Sequence, residues 1–237
     1  METYKEEIIN QIKKLDIMIN DKQAEQFIIY MKELIEWNNK INLTAITEPK
    51  EIIIKHFVDS LTISKYIKEN DTIIDVGTGA GFPGIPIKII KGNTNITLLD
   101  SLNKRIQFLE EIIQKCGLKK INAIHFRAED AGIDPKYREK YDIVTSRAVA
   151  NLSTLVEYMM PFVKVGGRCI CMKGSEIKEE LEKSKRAIEV LGGKIEKIEE
   201  FEIPDTEMKR HIIVIKKVKE TPKVYPRKAG TPAKKPL

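Results

Sequence analysis

A glycine-rich turn that follows a short apolar segment is the part of the sequence that points most directly to chemistry. The mainly apolar segment Thr72–Val76 contains one acidic residue, Asp75. It leads into a turn that reads Gly77-Thr78-Gly79-Ala80-Gly81. Glycine lets a backbone turn tightly and approach a ligand without a Cβ atom in the way. In an open parallel sheet, the first strand-to-helix turn lies at the carboxyl ends of the strands, where ligands bind. We therefore predict that a small ligand binds along residues 75–81.

The spacing of the glycines separates three kinds of nucleotide-binding loop. A P-loop needs a lysine after its second glycine, but Ile85 follows Gly84. A dinucleotide-binding loop needs a third glycine where the chain has Phe82. The order Gly-x-Gly-x-Gly after an acidic residue instead resembles the first motif of class I methyltransferases, which bind S-adenosylmethionine. S-adenosylmethionine has no pyrophosphate, so its loop does not need a helix N-terminus as an anion site.

A second acidic residue supports a nucleoside cofactor. Asp100 ends the next apolar segment of the chain, where a carboxylate is placed to accept hydrogen bonds from ribose hydroxyls. An acid at this position serves NAD and S-adenosylmethionine equally well, so it does not choose between them. Asp75, Gly79 and Asp100 are our candidate cofactor-binding residues from the loop pattern.

Alternating strands and helices must position these residues. Short apolar segments predict seven strands, at Thr72–Val76, Asn95–Asp100, Ile121–Phe126, Tyr141–Ser146, Gly167–Met172, Lys194–Phe201 and His211–Lys217. Amphipathic segments predict helices between them, at Gly84–Ile90, Asn103–Cys116, Asn151–Val163 and Glu176–Leu191. This order predicts an α/β fold with a mostly parallel sheet and helices on both faces. The last two strands have no helix between them, which predicts an antiparallel hairpin at the sheet edge.

The chain divides into three parts by composition and pattern. Residues 1–67 predict an N-terminal helical subdomain, whose second helix covers about 48–66 with Thr47 as its N-cap. Residues 68–218 carry the alternating strands and helices. Residues 219–237 are rich in proline and lysine, which predicts a basic tail without regular structure.

Positive charge is concentrated at the carboxyl end. The 237 residues carry a formal net charge of +6, and from Lys216 onwards eight residues are basic and only Glu220 is acidic. Such a segment attracts RNA through phosphate contacts and counterion release, but it is equally typical of a solvated terminus that keeps a protein soluble. We expect removal of the residues after Val218 to weaken RNA binding and to leave cofactor affinity largely intact.

Other features of the sequence narrow the class of protein. The sequence has no run of about 18 apolar residues that a transmembrane helix needs, and its amino terminus lacks the apolar core of a secretory signal. Its three cysteines, Cys116, Cys169 and Cys171, make neither a disulfide framework nor a four-ligand zinc site. These features predict a cytoplasmic protein without a membrane anchor or a metal.

A series of short motifs runs from about residue 37 to residue 236. In chain order they are Trp37-Asn38, Asn42-Leu43-Thr44-Ala45-Ile46, Lys55-His56-Phe57-Val58-Asp59-Ser60-Leu61, the stretch Asp75–Gly84, Asp100-Ser101-Leu102-Asn103-Lys104-Arg105, Arg127-Ala128-Glu129, Ser146-Arg147-Ala148, Lys173-Gly174 and Tyr225-Pro226-Arg227-Lys228-Ala229-Gly230-Thr231-Pro232. This series resembles the bacterial small-subunit rRNA guanine-N7 methyltransferases of the RsmG family, formerly called GidB.

The resemblance implies a fold, a reaction and a set of site residues. It implies a class I S-adenosylmethionine-dependent methyltransferase with a Rossmann-like domain and an N-terminal helical subdomain. The implied reaction is methyl transfer to N7 of a guanosine in the decoding-site loop of 16S rRNA, on naked rRNA or a small-subunit particle. By the same resemblance, the cofactor-binding positions are Gly77, Phe82, Ala128, Glu129 and Arg147.

The chemistry of guanine N7 agrees with what the sequence lacks. N7 carries an in-plane lone pair and no proton, so its attack on a methyl group needs no general base. The segment Thr145-Ser146-Arg147-Ala148 lacks the Asn/Asp-Pro-Pro-aromatic motif of exocyclic-amine methyltransferases. Arg147 is our one candidate for a catalytic role, His56 is expected to be a packed or capping histidine, and the candidate RNA contacts are Lys173, Arg227 and Lys228.

Three other functions remain open. A small-molecule or protein methyltransferase would share the glycine loop but would not explain the basic carboxyl end. An NAD-dependent oxidoreductase would share Asp100, although Phe82 replaces the third glycine of its loop. A non-catalytic RNA-binding factor would explain the basic carboxyl end but not the glycine turn. We expect the protein to be a monomer.

Overall fold

A seven-stranded sheet forms the centre of the computed structural model, which describes residues 2–147 and 150–237. Its order is β3-β2-β1-β4-β5-β7-β6. The strands are β1 (Thr72–Val76), β2 (Asn95–Asp100), β3 (Ile121–His125), β4 (Tyr141–Arg147), β5 (Val163–Lys173), β6 (Gly193–Glu202) and β7 (Lys209–Lys217). Strands β1 to β5 are parallel, whereas β7 is antiparallel to both β5 and β6. The predicted α/β class, the mostly parallel sheet and the antiparallel hairpin at its edge are confirmed.

Helices cover both faces of this sheet. On one face lie α1 (Glu2–Lys13), α2 (Asp21–Asn38), α3 (Pro49–Ile52), α4 (Asp59–Leu61), α5 (Gly84–Ile90) and α6 (Asn103–Lys115). On the other lie α7 (Ala128–Ala131), α8 (Leu152–Met159), α9 (Lys178–Val190) and α10 (Thr231–Lys234). Within the described ranges, no helix combines the length and apolar character that crossing a bilayer requires.

Alternation along the strands divides the interior into two apolar cores. In β1, Ile73 points into the core beneath α1, α2 and α5, while Ile74 points into the core beneath α8 and α9. Successive side chains of a strand face opposite sides of the sheet, so a run that is apolar throughout becomes buried on both. Because the first core contains residues of α1 and α2, the N-terminal helices are packed directly on the sheet.

The second N-terminal helical segment differs in detail from the sequence prediction. It begins at Pro49, with Glu48 rather than Thr47 at the N-cap position and no side-chain cap. Proline fits the first turn because the amide hydrogen that it lacks has no partner there. The segment continues as a π-helical turn, Ile53–Val58, before α4. Such turns occur mostly as single insertions, frequently at functional sites, and this one carries His56.

Residues 219–237, here called the C-terminal segment, are folded against the domain rather than forming an irregular tail. Thr221, Pro226 and Pro232 are buried, and α10 lies within the segment. The expectation that its prolines would exclude regular structure is wrong for α10, where Pro232 occupies the first turn. Elsewhere the segment lacks strand or helix hydrogen bonds, and side chains of the domain bind its carbonyl groups instead.

One edge of the sheet is strongly charged. Strand β6 lies at this edge and, among the described strands, pairs only with β7. Its exposed residues include Lys194, Glu196, Lys197, Glu200 and Glu202.

Candidate cofactor-binding site

A cavity of about 660 Å³ lies at the carboxyl ends of β1, β2 and β4. Strands β1 and β4 are neighbours, while the chain passes from β1 to β2 on the other side. The order in which the chain adds strands therefore reverses between β1 and β4, and a crevice opens at this point, where ligands bind in α/β sheets. The wall brings together Gly77, Gly79, Phe82, Asp100, Ala128, Glu129 and Arg147, all of them predicted cofactor-binding residues.

The glycine turn supplies an open backbone surface. Gly77 and Gly79 have φ angles of 68° and 61°, a conformation that glycine adopts without strain. The amides of Gly77 and Thr78 donate to the Leu99 carbonyl at 2.9 and 3.0 Å, which fastens the turn to β2. Apart from its chain neighbours, no described residue has an atom within 4 Å of the position that a Cβ of Gly79 would occupy. A ligand can therefore approach the Gly79 backbone closely.

Asp75 has a different place from the one we predicted. It is fully buried beneath the turn and does not line the cavity. Its Oδ2 accepts hydrogen bonds from Thr78 Oγ1 at 2.6 Å and from the Gly84 amide at 2.9 Å. Burial, partly offset by these hydrogen bonds, raises the pKa of Asp75 to about 6. Asp75 therefore positions the loop, because its carboxylate joins the loop's two ends instead of facing a ligand.

Asp100 lines the cavity, and its carboxylate is held in a fixed orientation. Oδ2 accepts from the Gly79 amide at 2.9 Å and from Arg105 Nη1 at 3.2 Å, and Oδ1 accepts from the Leu102 amide at 2.9 Å. Since a carboxylate oxygen can accept two hydrogen bonds, Oδ1 has capacity for a ligand hydroxyl. This arrangement fits the predicted contact with ribose.

Glu129 lies across the cavity in the short helix α7, next to Ala128. Its Oε1 accepts a hydrogen bond of 2.9 Å from the Gly230 amide of the C-terminal segment. Phe126, 37% exposed, forms an apolar part of the same wall. An adenosine group fits this setting, since Asp100 and Glu129 supply acceptors for its hydroxyl and amino groups and Phe126 supplies an apolar surface. S-adenosylmethionine would be held through these groups.

Arg147, at the end of β4, is the centre of a buried polar group. Its guanidinium donates to the Lys55 carbonyl at 3.0 Å, to Asp59 Oδ2 at 2.9 Å and to His56 Nδ1 at 3.0 Å. It also lies 4.8 Å from the centre of the Phe82 ring, a distance at which a cation is attracted to an aromatic face. Ala148, which follows it in the predicted motif, lies outside the described residues.

His56 is neutral and its tautomer is fixed. Burial, and then the charge of Arg147, lowers the pKa of His56 to about 3. Arginine has no acceptor, so Nδ1 accepts the hydrogen bond from Arg147. Nε2 therefore carries the proton and donates to Thr44 Oγ1 at 2.8 Å. The ring also stacks on Phe82 at 4.4 Å. The packed role expected for His56 agrees with this geometry, and both ring nitrogens are engaged.

A second cavity, of about 620 Å³, lies beside the first at the ends of β4 and β5. His56 and Arg147 line both cavities, so together they form the partition between them. Lys173 also lines the second cavity, but its ammonium donates to the Ala150 carbonyl at 2.6 Å and to Glu180 at 2.5 Å. The ammonium of Lys173 thus already has two partners within the protein.

The two predicted RNA contacts in the C-terminal segment differ in availability. Arg227 binds the carboxylate of Glu157 through Nε at 2.9 Å and through Nη2 at 2.5 Å. This ion pair occupies the guanidinium that was predicted to grip phosphate, because Glu157 is fully buried and needs a partner. Lys228, by contrast, is exposed.

Several residues of the site were missed by sequence reasoning. Asp59 and Arg210 complete the group around Arg147, with Arg210 Nε donating to Asp59 Oδ1 at 3.3 Å. Tyr30 of α2 donates to the Ala80 carbonyl and so supports the glycine turn from below. Asp59 lies within one of the motifs quoted from the sequence. The available signal for it was an acidic residue among apolar residues of a predicted helix. Tyr30 and Arg210 carried no such signal. Within residues 2–147 and 150–237, no group of His, Cys, Asp or Glu could hold a metal ion.

Comparison with solved structures shows the fold to be that of S-adenosylmethionine-dependent methyltransferases. A SAM-dependent O-methyltransferase from Thermotoga maritima superposes with a TM-score of 0.52 at 15% identity, over 80% of this chain and 73% of that chain. The TYW2 protein of M. jannaschii, solved with AdoMet, gives a TM-score of 0.52 at 17% identity, over 66% of this chain and 72% of that chain.

Comparison of sequences identifies a closer relationship. The family model described as GidB, rRNA small subunit methyltransferase G, matches residues 23–213. The Ribosomal RNA small subunit methyltransferase G of Alkaliphilus metalliredigens is 52% identical over 94% of this chain and 95% of its own length. The protein of that name from Acetivibrio thermocellus is 55% identical over 93% of this chain and 91% of its own length. The chain therefore belongs to the ribosomal RNA small subunit methyltransferase G family, whose members use S-adenosylmethionine as methyl donor.

Proposed function

We propose that this enzyme methylates N7 of a guanosine in 16S rRNA, acting as a cytoplasmic monomer on naked rRNA or on a small-subunit particle. The relatives' names refer to small-subunit ribosomal RNA. The observation that carries the choice of N7 is the state of His56. The histidine at the partition between the two cavities is neutral, and both of its nitrogens are engaged. A nucleophile without a proton, such as guanine N7, suits a site in which this histidine does not act as a base.

The other residues of the two cavities orient and stabilise the bound cofactor and the target nucleotide. S-adenosylmethionine supplies an electrophilic methyl group when it is bound in the first cavity. Asp100 and Glu129 hold its adenosine, and the Gly79 backbone leaves room beside it. Arg147 and His56 separate the first cavity from the second, in which we place the target nucleotide. Alignment of this kind can contribute about 7–11 kcal/mol to catalysis. Arg147 is our candidate for contact with the reacting groups, while Lys228, and Lys173 after exchange of its partners, are candidates for contact with RNA.

A methyl-transfer assay tests this proposal. The protein is incubated with methyl-labelled S-adenosylmethionine and either undermethylated small subunits or naked 16S rRNA. The labelled nucleotide is then identified by borohydride and aniline cleavage, which is specific for N7-methylguanosine. We expect label at one guanosine and a rate that does not change between about pH 7 and pH 9, since His56 stays neutral throughout. Label on an exocyclic amine, or transfer to neither substrate, would overturn the proposal.

A further inference from the structure

The C-terminal segment is anchored to the domain by a series of specific polar contacts. The guanidinium of Arg138 donates to the carbonyl groups of Thr221 at 2.7 Å, Tyr225 at 2.8 Å and Gly132 at 2.9 Å. The Thr221 amide donates to Glu139 at 2.8 Å, and the buried Thr221 hydroxyl donates to the Leu191 carbonyl at 2.8 Å. These contacts fix the first part of the segment, up to Tyr225.

The second part, residues 226–237, is anchored by an ion pair between Arg227 and the buried Glu157. Glu157 is fully buried in α8, and its carboxylate accepts hydrogen bonds from both the backbone amide and the guanidinium of Arg227. A buried carboxylate without a partner is strongly unfavourable. Docking of residues 226–237 therefore gives the Glu157 carboxylate a positively charged partner, Arg227, which it would otherwise lack. Thr154 of the same helix donates to the Pro232 carbonyl at 3.1 Å, which adds a second attachment.

This second part also forms a wall of the cofactor cavity. Gly230 and Ala233 line the cavity, opposite the glycine turn. The Gly230 amide donates to Oε1 of Glu129 at 2.9 Å, which holds the carboxylate in one orientation. Gly230 has a φ angle of 80°, which directs the chain into α10 at this point. The orientation of Glu129 therefore depends on residues that are 101 positions later in the chain.

We infer that residues 226–237 are a structural part of the cofactor site, in which Arg227 and Gly230 are positioning residues. Docking of these residues orients Glu129 and closes one side of the cavity, so the cofactor binds more tightly to the docked state. Coupling between two binding events is reciprocal, so the cofactor also holds residues 226–237 in place. This differs from the sequence expectation that removal of the residues after Val218 leaves cofactor affinity largely intact.

The direct experiment removes residues 226–237 and measures binding of S-adenosylhomocysteine by calorimetry without RNA. The truncated chain keeps Thr221 and Tyr225, and thus the contacts to Arg138. We expect the dissociation constant to rise at least tenfold while circular dichroism and the melting temperature report a folded domain. A folded truncated protein whose affinity stays within twofold of the full chain would overturn the inference.

Point variants separate positioning from charge. Arg227→Met removes the ion pair to Glu157 and is expected to weaken S-adenosylhomocysteine binding, and Arg227→Lys is expected to restore part of the affinity. Lys223→Ala is the matched control, because Lys223 lies in the same segment and is basic but exposed, and the affinity of this variant is expected to be unchanged. Equal affinities in Arg227→Met and Lys223→Ala would contradict a positioning role for Arg227.

A proteolysis experiment on the unmodified protein needs no variant to fold. Trypsin can cut after Lys228, and S-adenosylhomocysteine is expected to slow that cut at least threefold, while cleavage at sites outside residues 226–237 and away from the cavity is unaffected. Ligand binding without protection at Lys228 would show that docking and cofactor binding are independent. None of these measurements uses a methyl acceptor, so they stand or fall separately from the choice of guanine N7.

Discussion

Two charged residues near the cofactor cavity, the fully buried Asp75 and the partly buried Arg147, offset the cost of desolvation in different ways. Arg147 has Asp59 as an ionic partner, and Asp59 in turn binds Arg210. Asp75 has only neutral donors, and its Oδ1 has no hydrogen-bond partner among the described residues. Hydrogen bonds alone compensate a buried charge incompletely. The two residues should therefore respond in opposite ways to substitution.

The carboxyl of Asp75 gives the free energy of unfolding a distinctive pH dependence. Because burial raises its pKa from 3.8 to about 6, the folded state holds the proton more tightly than the unfolded chain. The proton on Asp75 therefore stabilises the folded state. This stabilisation is fully present below pH 3.8 and is lost as the pH rises through about 6. The whole change amounts to about 3 kcal/mol.

Asp75→Asn tests this dependence, because asparagine keeps an acceptor for Thr78 and Gly84 but does not titrate. As the pH rises from about 4 to about 7, we expect the free energy of unfolding of the variant to increase by about 2.4 kcal/mol relative to that of the unmodified chain. Urea unfolding at several pH values measures the difference. A constant difference across this range would show that Asp75 does not titrate as described.

Removal of Arg147 should be costly, since it leaves Asp59 buried with only Arg210 as partner. We expect Arg147→Met to lower the free energy of unfolding by about 3 kcal/mol, as for a broken buried pair. Arg168→Met is the matched control, because Arg168 pairs with Glu196 at the surface and its loss should cost less than about 1 kcal/mol. Denaturant unfolding compares the two variants, and similar losses would contradict the buried role of Arg147.

At the scale of elements, the turn between β1 and α5 depends on a close approach of backbone to side chains. A Cβ on Gly84 would lie 2.3 Å from Leu98 Cδ2 and 3.0 Å from Asp75 Oδ2. Asp75 cannot move away, because it holds the Gly84 amide and the Thr78 hydroxyl. The first turn of α5 can therefore pack this closely against β1 and β2 only because Gly84 has no side chain.

We accordingly expect Gly84→Ala to destabilise the protein by about 1–3 kcal/mol, as for other overpacked cores. Binding of S-adenosylhomocysteine should weaken as well, since the glycine turn shifts with α5. Gly92→Ala is the control, because no atom lies within 4 Å of its Cβ position, and its effect should stay within about 0.5 kcal/mol. Thermal unfolding and calorimetry measure the two effects, and a neutral Gly84→Ala would refute the close-packing argument.

The sequence allowed the strands and the cofactor loop to be predicted because both depend on local pattern. Apolar runs locate β1 and β2, and the glycine spacing together with Asp100 locates the cavity. The roles of Asp75 and Arg227 were not predictable in this way, because each depends on a partner brought near by tertiary packing. For Arg227 that partner is Glu157, which is 70 residues away in the chain. The sequence showed Asp75 to be acidic but not that it lies beneath the turn.

At the scale of the whole molecule, the N-terminal helices, the sheet and the C-terminal segment all contribute to one site. Tyr30 supports the glycine turn from α2, His56 forms the partition from the π-helical turn, and Gly230 forms a wall from the C-terminal segment. The division into residues 1–67, 68–218 and 219–237 remains a useful description of sequence pattern. The site itself crosses all three parts.

The charged edge of the sheet bears on how molecules of this protein behave towards one another. An edge strand presents unpaired amide and carbonyl groups that can template pairing with a second sheet. The exposed lysines and glutamates of β6 oppose such pairing, because a neighbouring strand would have to bury them. Replacement of Glu196, Lys197 and Glu200 by valine should therefore yield soluble oligomers or fibrils. Light scattering measures their formation. The same replacements at Glu179, Glu182 and Lys185 on α9 change the net charge equally and should leave the light scattering at the level of the unmodified chain. We therefore expect resistance to aggregation to lie in the charges of this one strand rather than in the net charge of the chain.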